Sequence, residues 1–145
     1  MTGGLKAVDG PPTAWFQPGW VSMLFTSKDP EKTTLAMSLA LGAAMQGLKP
    51  AVIAMHDGVW AFTQAGANKE AEGTLRASEV AMGEPYKACS DMIEKIRAKG
   101  GRFFACKSCV VHRKLKDKLD DYVDVTQGPD VVRMISGARG SVNLN

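Results

Sequence analysis

A three-layer α/β domain is what this sequence predicts: about five strands, mostly parallel, between helices in a flavodoxin-like layout with strand order 2-1-3-4-5. Three observations carry the prediction. Short apolar runs alternate with helix-compatible segments from residue 20 to the C-terminus. Several of those runs, such as Ala51 to Met55, are continuously apolar, as strands buried on both faces of a covered parallel sheet must be. Gly, Pro, Asp and Ser stand at the joints between the runs.

The first predicted strand is Trp20 to Phe25. Thr26, Ser27, Lys28, Asp29 and Pro30 follow as loop, N-cap and first-turn proline. A helix is expected over 31–46, rich in Ala, Leu and Met, with Gly47 as its stop. Its apolar content nearly all round predicts burial. Ala51 to Met55 is the second strand, ended by His56, Asp57 and Gly58.

Val59 to Gly83 has no sustained period and is read as a mobile connection with short helical pieces at 60–64 and 74–82. From Pro85 onward Tyr86, Cys89, Met92, Ile93 and Ile96 recur at helical spacing, closed by Gly100 and Gly101. Strand three is Arg102 to Ala105, and a basic helix is expected from Cys106 to about Leu119. A strand over Tyr122 to Val125, an Asp130-capped helix to about Ser136 and a last strand over Ser141 to Leu144 complete the alternation. Residues 1–19, with several Gly and Pro, read as a flexible N-terminal arm to a domain spanning 20–145.

Length and composition bound the function. At 145 residues the chain is one domain with a core of its own. No stretch approaches the roughly 18 apolar residues of a membrane span, and the N-terminus carries no apolar signal region. Three cysteines are an odd number for a disulfide framework, so a reducing cytoplasm is the expected location. The net charge of +3 is too slight, and stacking aromatics too few, for nucleic-acid binding. The basic cluster Lys107, Arg113, Lys114, Lys116 and Lys118 is either a solvated helix face or a contact for an acidic partner.

The candidate site is Cys106-Lys107-Ser108-Cys109, at a strand-to-helix turn. A thiol at a helix N-terminus beside cations ionises more readily than a free one, of pKa about 8.5, and the thiolate is the nucleophile. Cys106 is therefore the leading catalytic residue and Cys109 its possible resolving partner. In the predicted strand order the loop after strand one meets this turn. Thr26 and Ser27 hydroxyls with free helix amides would hold a charged sulfur group, Lys28 or Lys107 would add positive charge, and His56 would line the same edge. Zinc is disfavoured, because one Cys-x-x-Cys pair with His112 leaves a four-ligand site incomplete. No metal or cofactor is expected. Cys89 lies on the apolar stripe of its helix and reads as core.

These residues together resemble the DsrE/DsrF-like sulfur-relay family. The resemblance runs from Trp20 to Leu144 and rests on the Thr26 to Pro30 segment, on Gly47 to Met55 leading to Asp57, Gly58 and Val59, and on Gly100 to Cys106. The family's cysteine at the head of the helix after strand three matches Cys106, and its basic turn matches Arg113 and Lys114. Leu115 departs from the pattern, standing where many members have glycine. The resemblance implies that Cys106 accepts sulfane sulfur as a persulfide and relays it to a partner protein's thiol. It also implies sulfur donor and acceptor proteins as partners and homotrimers or hexamers. A non-catalytic oligomeric binding protein of the same fold, or a Cys-x-x-Cys dithiol redox protein, stays open as an alternative.

Overall fold

A computed structural model describes residues 19–69 and 75–145. The proposed arm, apart from Gly19, lies outside them. Five strands form one parallel sheet: β1 (Trp20–Phe25), β2 (Lys49–Ala54), β3 (Arg102–Cys106), β4 (Val123–Thr126) and β5 (Gly140–Leu144). Four α-helices connect them: α1 (Pro30–Met45), α2 (Cys89–Ala98), α3 (Lys107–His112) and α4 (Gly128–Ser136). Among the described residues, two 3-10 helices lie between β2 and α2, His56–Phe62 and Ala77–Glu79.

The strand order is β4-β3-β2-β1-β5, which corrects the expected 2-1-3-4-5. Each of the first three crossovers steps one strand in the same direction, and the chain then returns to place β5 on the far side of β1. Right-handed crossovers that step the same way put their helices on the same face. Accordingly α1, α2 and the Val110 end of α3 pack on the face bearing Met23, Phe25, Val52, Ala54, Phe103 and Ala105. The other face is covered by α4, whose Val131 and Met134 lie on Trp20, Ala51, Ile53 and Phe104. Ser22 Oγ and Trp20 Nε1 both donate to the Met134 carbonyl, at 2.6 and 3.0 Å, and tie α4 to β1.

Local chemistry explains the start of α1, whereas α4 begins at Gly128 with Gln127 at its N-cap and no side-chain cap, which corrects the expected Asp130 cap. Asp29 caps α1 by accepting from the Glu31 amide at 3.1 Å, with Pro30 in the first turn. Three expectations are corrected by tertiary contacts. The expected mobile connection 59–83 is anchored at its start, since Val59 to Phe62, within the 3-10 helix 56–62, are buried against the sheet and Phe62 meets Phe25 edge to face at 6.0 Å; its residues 70–74 lie outside the described residues. Helix α2 begins at Cys89 rather than near Pro85, leaving Tyr86 exposed. Burial of α1 is one-sided, with Leu35, Leu39 and Met45 facing outward.

Helix α3 stops at His112, well short of Leu119. The Lys114 amide donates to Val111 O at 3.0 Å and the Leu115 amide to Val110 O at 2.9 Å, with Lys114 at φ +58°. This is a Schellman stop, in which the residue in the left-handed conformation is followed by one that packs back on the helix. Leu115 is that residue, 2% exposed.

Candidate functional site

Cys106 is both the last residue of β3 and the N-cap of α3, with extended backbone at φ −67°, ψ 126°. It is 6% exposed, because the sheet supplies neighbours on both sides. Register pairs Cys106 with Thr126 of β4. On the other side Ala54 pairs with Ala105, so the next rank sets Met55 beside Cys106. Phe25 pairs with Ala54, which places Thr26 in the same rank one strand farther on. The C-terminal edge of the sheet therefore presents the rank Thr26, Met55, Cys106, Thr126.

Two influences oppose one another at the Cys106 sulfur. Burial pushes its pKa up, and the backbone N–H groups of Cys109 and Ser108 pull it down. The nearby Cys109 side chain adds a further upward push, and the net shift is upward. The expectation of an easily ionised thiol is thus corrected: loss of water around the sulfur outweighs the helix amides.

Cys109 is half-buried and, like Cys106 and Cys89, a free thiol. Its sulfur accepts the His56 N–H at 3.1 Å. His56 reaches that geometry at φ +52°, in the left-handed region that a non-glycine residue seldom occupies. The His56 side chain is exposed and stands 3.7 Å from Asp57. Asp57 in turn meets Arg113 Nη2 at 3.2 Å, binding the 3-10 helix to α3. Asp57, Trp60, His112, Arg113 and Lys114 line a shallow depression of about 350 Å³ beside the cysteine turn. Arg113 and His56 therefore join the Cys109 side of the site, with Lys107 exposed at the first position of α3.

The strand-one loop stands apart. Strand β2 lies between β1 and β3, so Thr26 is two strands, about 9–10 Å, from Cys106. Its hydroxyl lies 3.2 Å from Asn145 Oδ1 and 3.4 Å from the Leu144 carbonyl. Ser27 Oγ accepts the Asp29 amide at 3.0 Å, and Lys28 is exposed. These three residues share the sheet edge with Cys106 without joining its immediate surroundings.

Thr126 was missed by sequence reading, which ended the fourth strand at Val125. It is 2% exposed, and its hydroxyl is a buried side-chain polar atom with no hydrogen-bond partner among the described residues. A Val-x-Val-Thr run ending a strand beside Cys106 was its only signal in the sequence. Cys89 sits fully buried against Thr34, its thiol 3.7 Å from the Thr34 hydroxyl. Among the described residues no His, Cys, Asp and Glu side chains gather into a group able to hold a metal, and no helix is long and apolar enough to cross a membrane.

A model of the DsrE/DsrF-like family matches residues 21–140. In structure the chain is similar to the ychN protein from E. coli, with TM-score 0.63 and 18% identity over 88% of this chain and 99% of that one. It is also similar to BT1422, a conserved protein of unknown function from Bacteroides thetaiotaomicron, with TM-score 0.59 and 12% identity over 86% and 94% of the two chains. At these identities the likeness is one of fold. No curated protein matches the chain.

Proposed function

The chain belongs to the DsrE/DsrF-like family, and from that premise we propose that it is a cytoplasmic sulfur carrier that loads sulfane sulfur on Cys106 and relays it to a partner protein's thiol. The observation that carries the reading is the position of Cys106: last residue of β3 and N-cap of α3, with no capping hydrogen bond formed by its sulfur and the Ser108 and Cys109 amides pulling its pKa down. In the loading step the Cys106 thiolate attacks the outer sulfur of a donor persulfide. The new S–S bond forms as the donor's S–S bond breaks, and the donor leaves as a thiolate, so no net oxidation occurs. The acceptor's thiolate repeats the displacement on the outer sulfur and releases Cys106 as thiolate. The amides of Ser108 and Cys109 favour the Cys106 thiolate that attacks the donor and that the acceptor's displacement releases.

Intact-protein mass spectrometry after exposure to glutathione persulfide tests the reading. Wild-type protein is expected to gain reducible sulfur, and Cys106→Ser to gain none at that position while remaining folded. Equal loading of the Ser variant would sink the assignment. A dithiol role is favoured instead by one observation, the proximity of the Cys109 side chain to the Cys106 sulfur. An internal Cys106–Cys109 disulfide in place of added sulfur would select that role.

Thr26, Ser27, Lys28, His56, Lys107 and Arg113 are proposed to meet the sulfur donor or acceptor protein along the sheet edge and the depression beside α3. The carrier is further proposed to assemble as a homotrimer or hexamer. Leu35 and Leu39, one turn apart on the outer face of α1, and Met45, Met82 and Tyr86 are large apolar side chains 40% or more exposed in the single chain, and subunit contact is proposed to cover them. Light scattering at micromolar concentration is expected to give a multiple of 15.5 kDa; a clean monomer would remove this part.

A further inference from the structure

The buried Thr126 hydroxyl is the feature of the site that the bare cysteine leaves unused. Buried hydroxyls are nearly always hydrogen-bonded, since an unmade bond costs about 1–3 kcal/mol. Thr126 could escape that cost as valine, which has the same shape and suits a strand equally well. Its neighbour in register is Cys106, and paired residues of adjacent strands project from the same face, with the strands about 4.8 Å apart. Nothing joins the hydroxyl to the bare thiol. An additional sulfur, bonded about 2.05 Å beyond the first, lengthens the Cys106 side chain on the sheet face it shares with Thr126.

We propose that Thr126 is a positioning residue whose hydroxyl donates to the outer sulfur of a Cys106 persulfide, so that the site is satisfied in its loaded state rather than its empty one. This rests on the persulfide reading of Cys106 and adds to it a residue that holds the cargo. Met55 stands on the other side of Cys106, half-buried against the apolar cluster of Ile53, Phe104 and Val131 beneath α4. A hydroxyl already stripped of water gives up no hydration on bonding to an anionic outer sulfur. Thr126 thus retains sulfur between the two displacement steps while taking no part in either.

The test compares wild type with Thr126→Val, Thr126→Ala and Thr126→Ser, each loaded with glutathione persulfide and followed by intact mass over time. With excess glutathione as the thiol that takes the outer sulfur, wild type and the Ser variant are expected to hold the added sulfur, and the Val and Ala variants to lose it as glutathione persulfide about tenfold faster, the factor worth one charge-assisted hydrogen bond. The pH profile of iodoacetamide alkylation at the bare Cys106 thiol is expected to coincide in all four proteins, because the hydroxyl has no bond to that thiol. Melting temperatures of Thr126→Val at or above wild type are expected as well. Equal retention by Val, Ala and wild type overturns the Thr126 assignment and leaves the carrier reading standing. An alkylation profile displaced in step with the retention loss also overturns it, since that marks a structural effect. Failure of wild type to load brings down the carrier reading, and the Thr126 assignment with it.

Discussion

At Cys106 two familiar rules about thiols point in opposite directions. A helix N-terminus and neighbouring lysines favour the thiolate; burial favours the thiol. Strands on both sides of β3 make burial the larger effect, so the Cys106 pKa lies above its ordinary value. The thiolate fraction at neutral pH is accordingly small, and it rises as pH approaches the shifted value from below. Iodoacetamide alkylation at Cys106, followed by mass spectrometry, is expected to show a midpoint above the roughly 8.5 of a free thiol. Cys109→Ala keeps the Cys109 amide and removes the side chain that raises the value, so its midpoint is expected to fall below that of wild type. A wild-type midpoint at or below the free-thiol value would refute the dominance of burial. The identity of the cysteine was legible, because Cys-x-x-Cys after an apolar run and before a basic segment is a local pattern. Its ionisation was not, because burial of the sulfur depends on strands β2 and β4, which are distant along the chain and flank β3 only in the folded sheet.

The segments between strands show where local patterns mislead. Helix α3 reads as a long basic helix because lysine is a good helix former. It ends at His112 because burying Leu115 requires the chain to turn back through Lys114. The run 56–62 lacks a helical or strand period, yet it is held firmly. Gly58 lies so near β1 that an added Cβ would sit 2.1 Å from the Phe25 carbonyl oxygen. That oxygen belongs to the backbone beneath the site and accepts the Met55 amide at 2.9 Å, so it has little freedom to retreat. Gly58→Ala is expected to cost about 3 kcal/mol or more, at the upper end of overpacking penalties, read as a fall in urea midpoint at unchanged m-value. A loss below about 1 kcal/mol would show that the 3-10 helix shifts freely. Gly58 was visible only as a strand-ending glycine; its close approach to Phe25 exists once the helix is folded over the sheet.

Over the whole molecule, the sequence by itself determined the class of fold, the positions of all five strands to within a residue or two, and the family, now matched over residues 21–140. These are properties of windows a few residues long: continuous apolar runs for buried strands, Asp29 and Pro30 for the start of α1, a cysteine where a strand gives way to a helix. Tertiary structure alone decided the strand order, with β2 between β1 and β3. It thereby decided which residues flank Cys106 in register: Met55 just past β2 and Thr126 of β4, with Thr26 two strands away. The physical reason is that strand order depends on how the crossover helices cover the two faces of the sheet. That is a sum over contacts between distant segments, α4 on Trp20 and Phe104 among them, and no local pattern of residues encodes it.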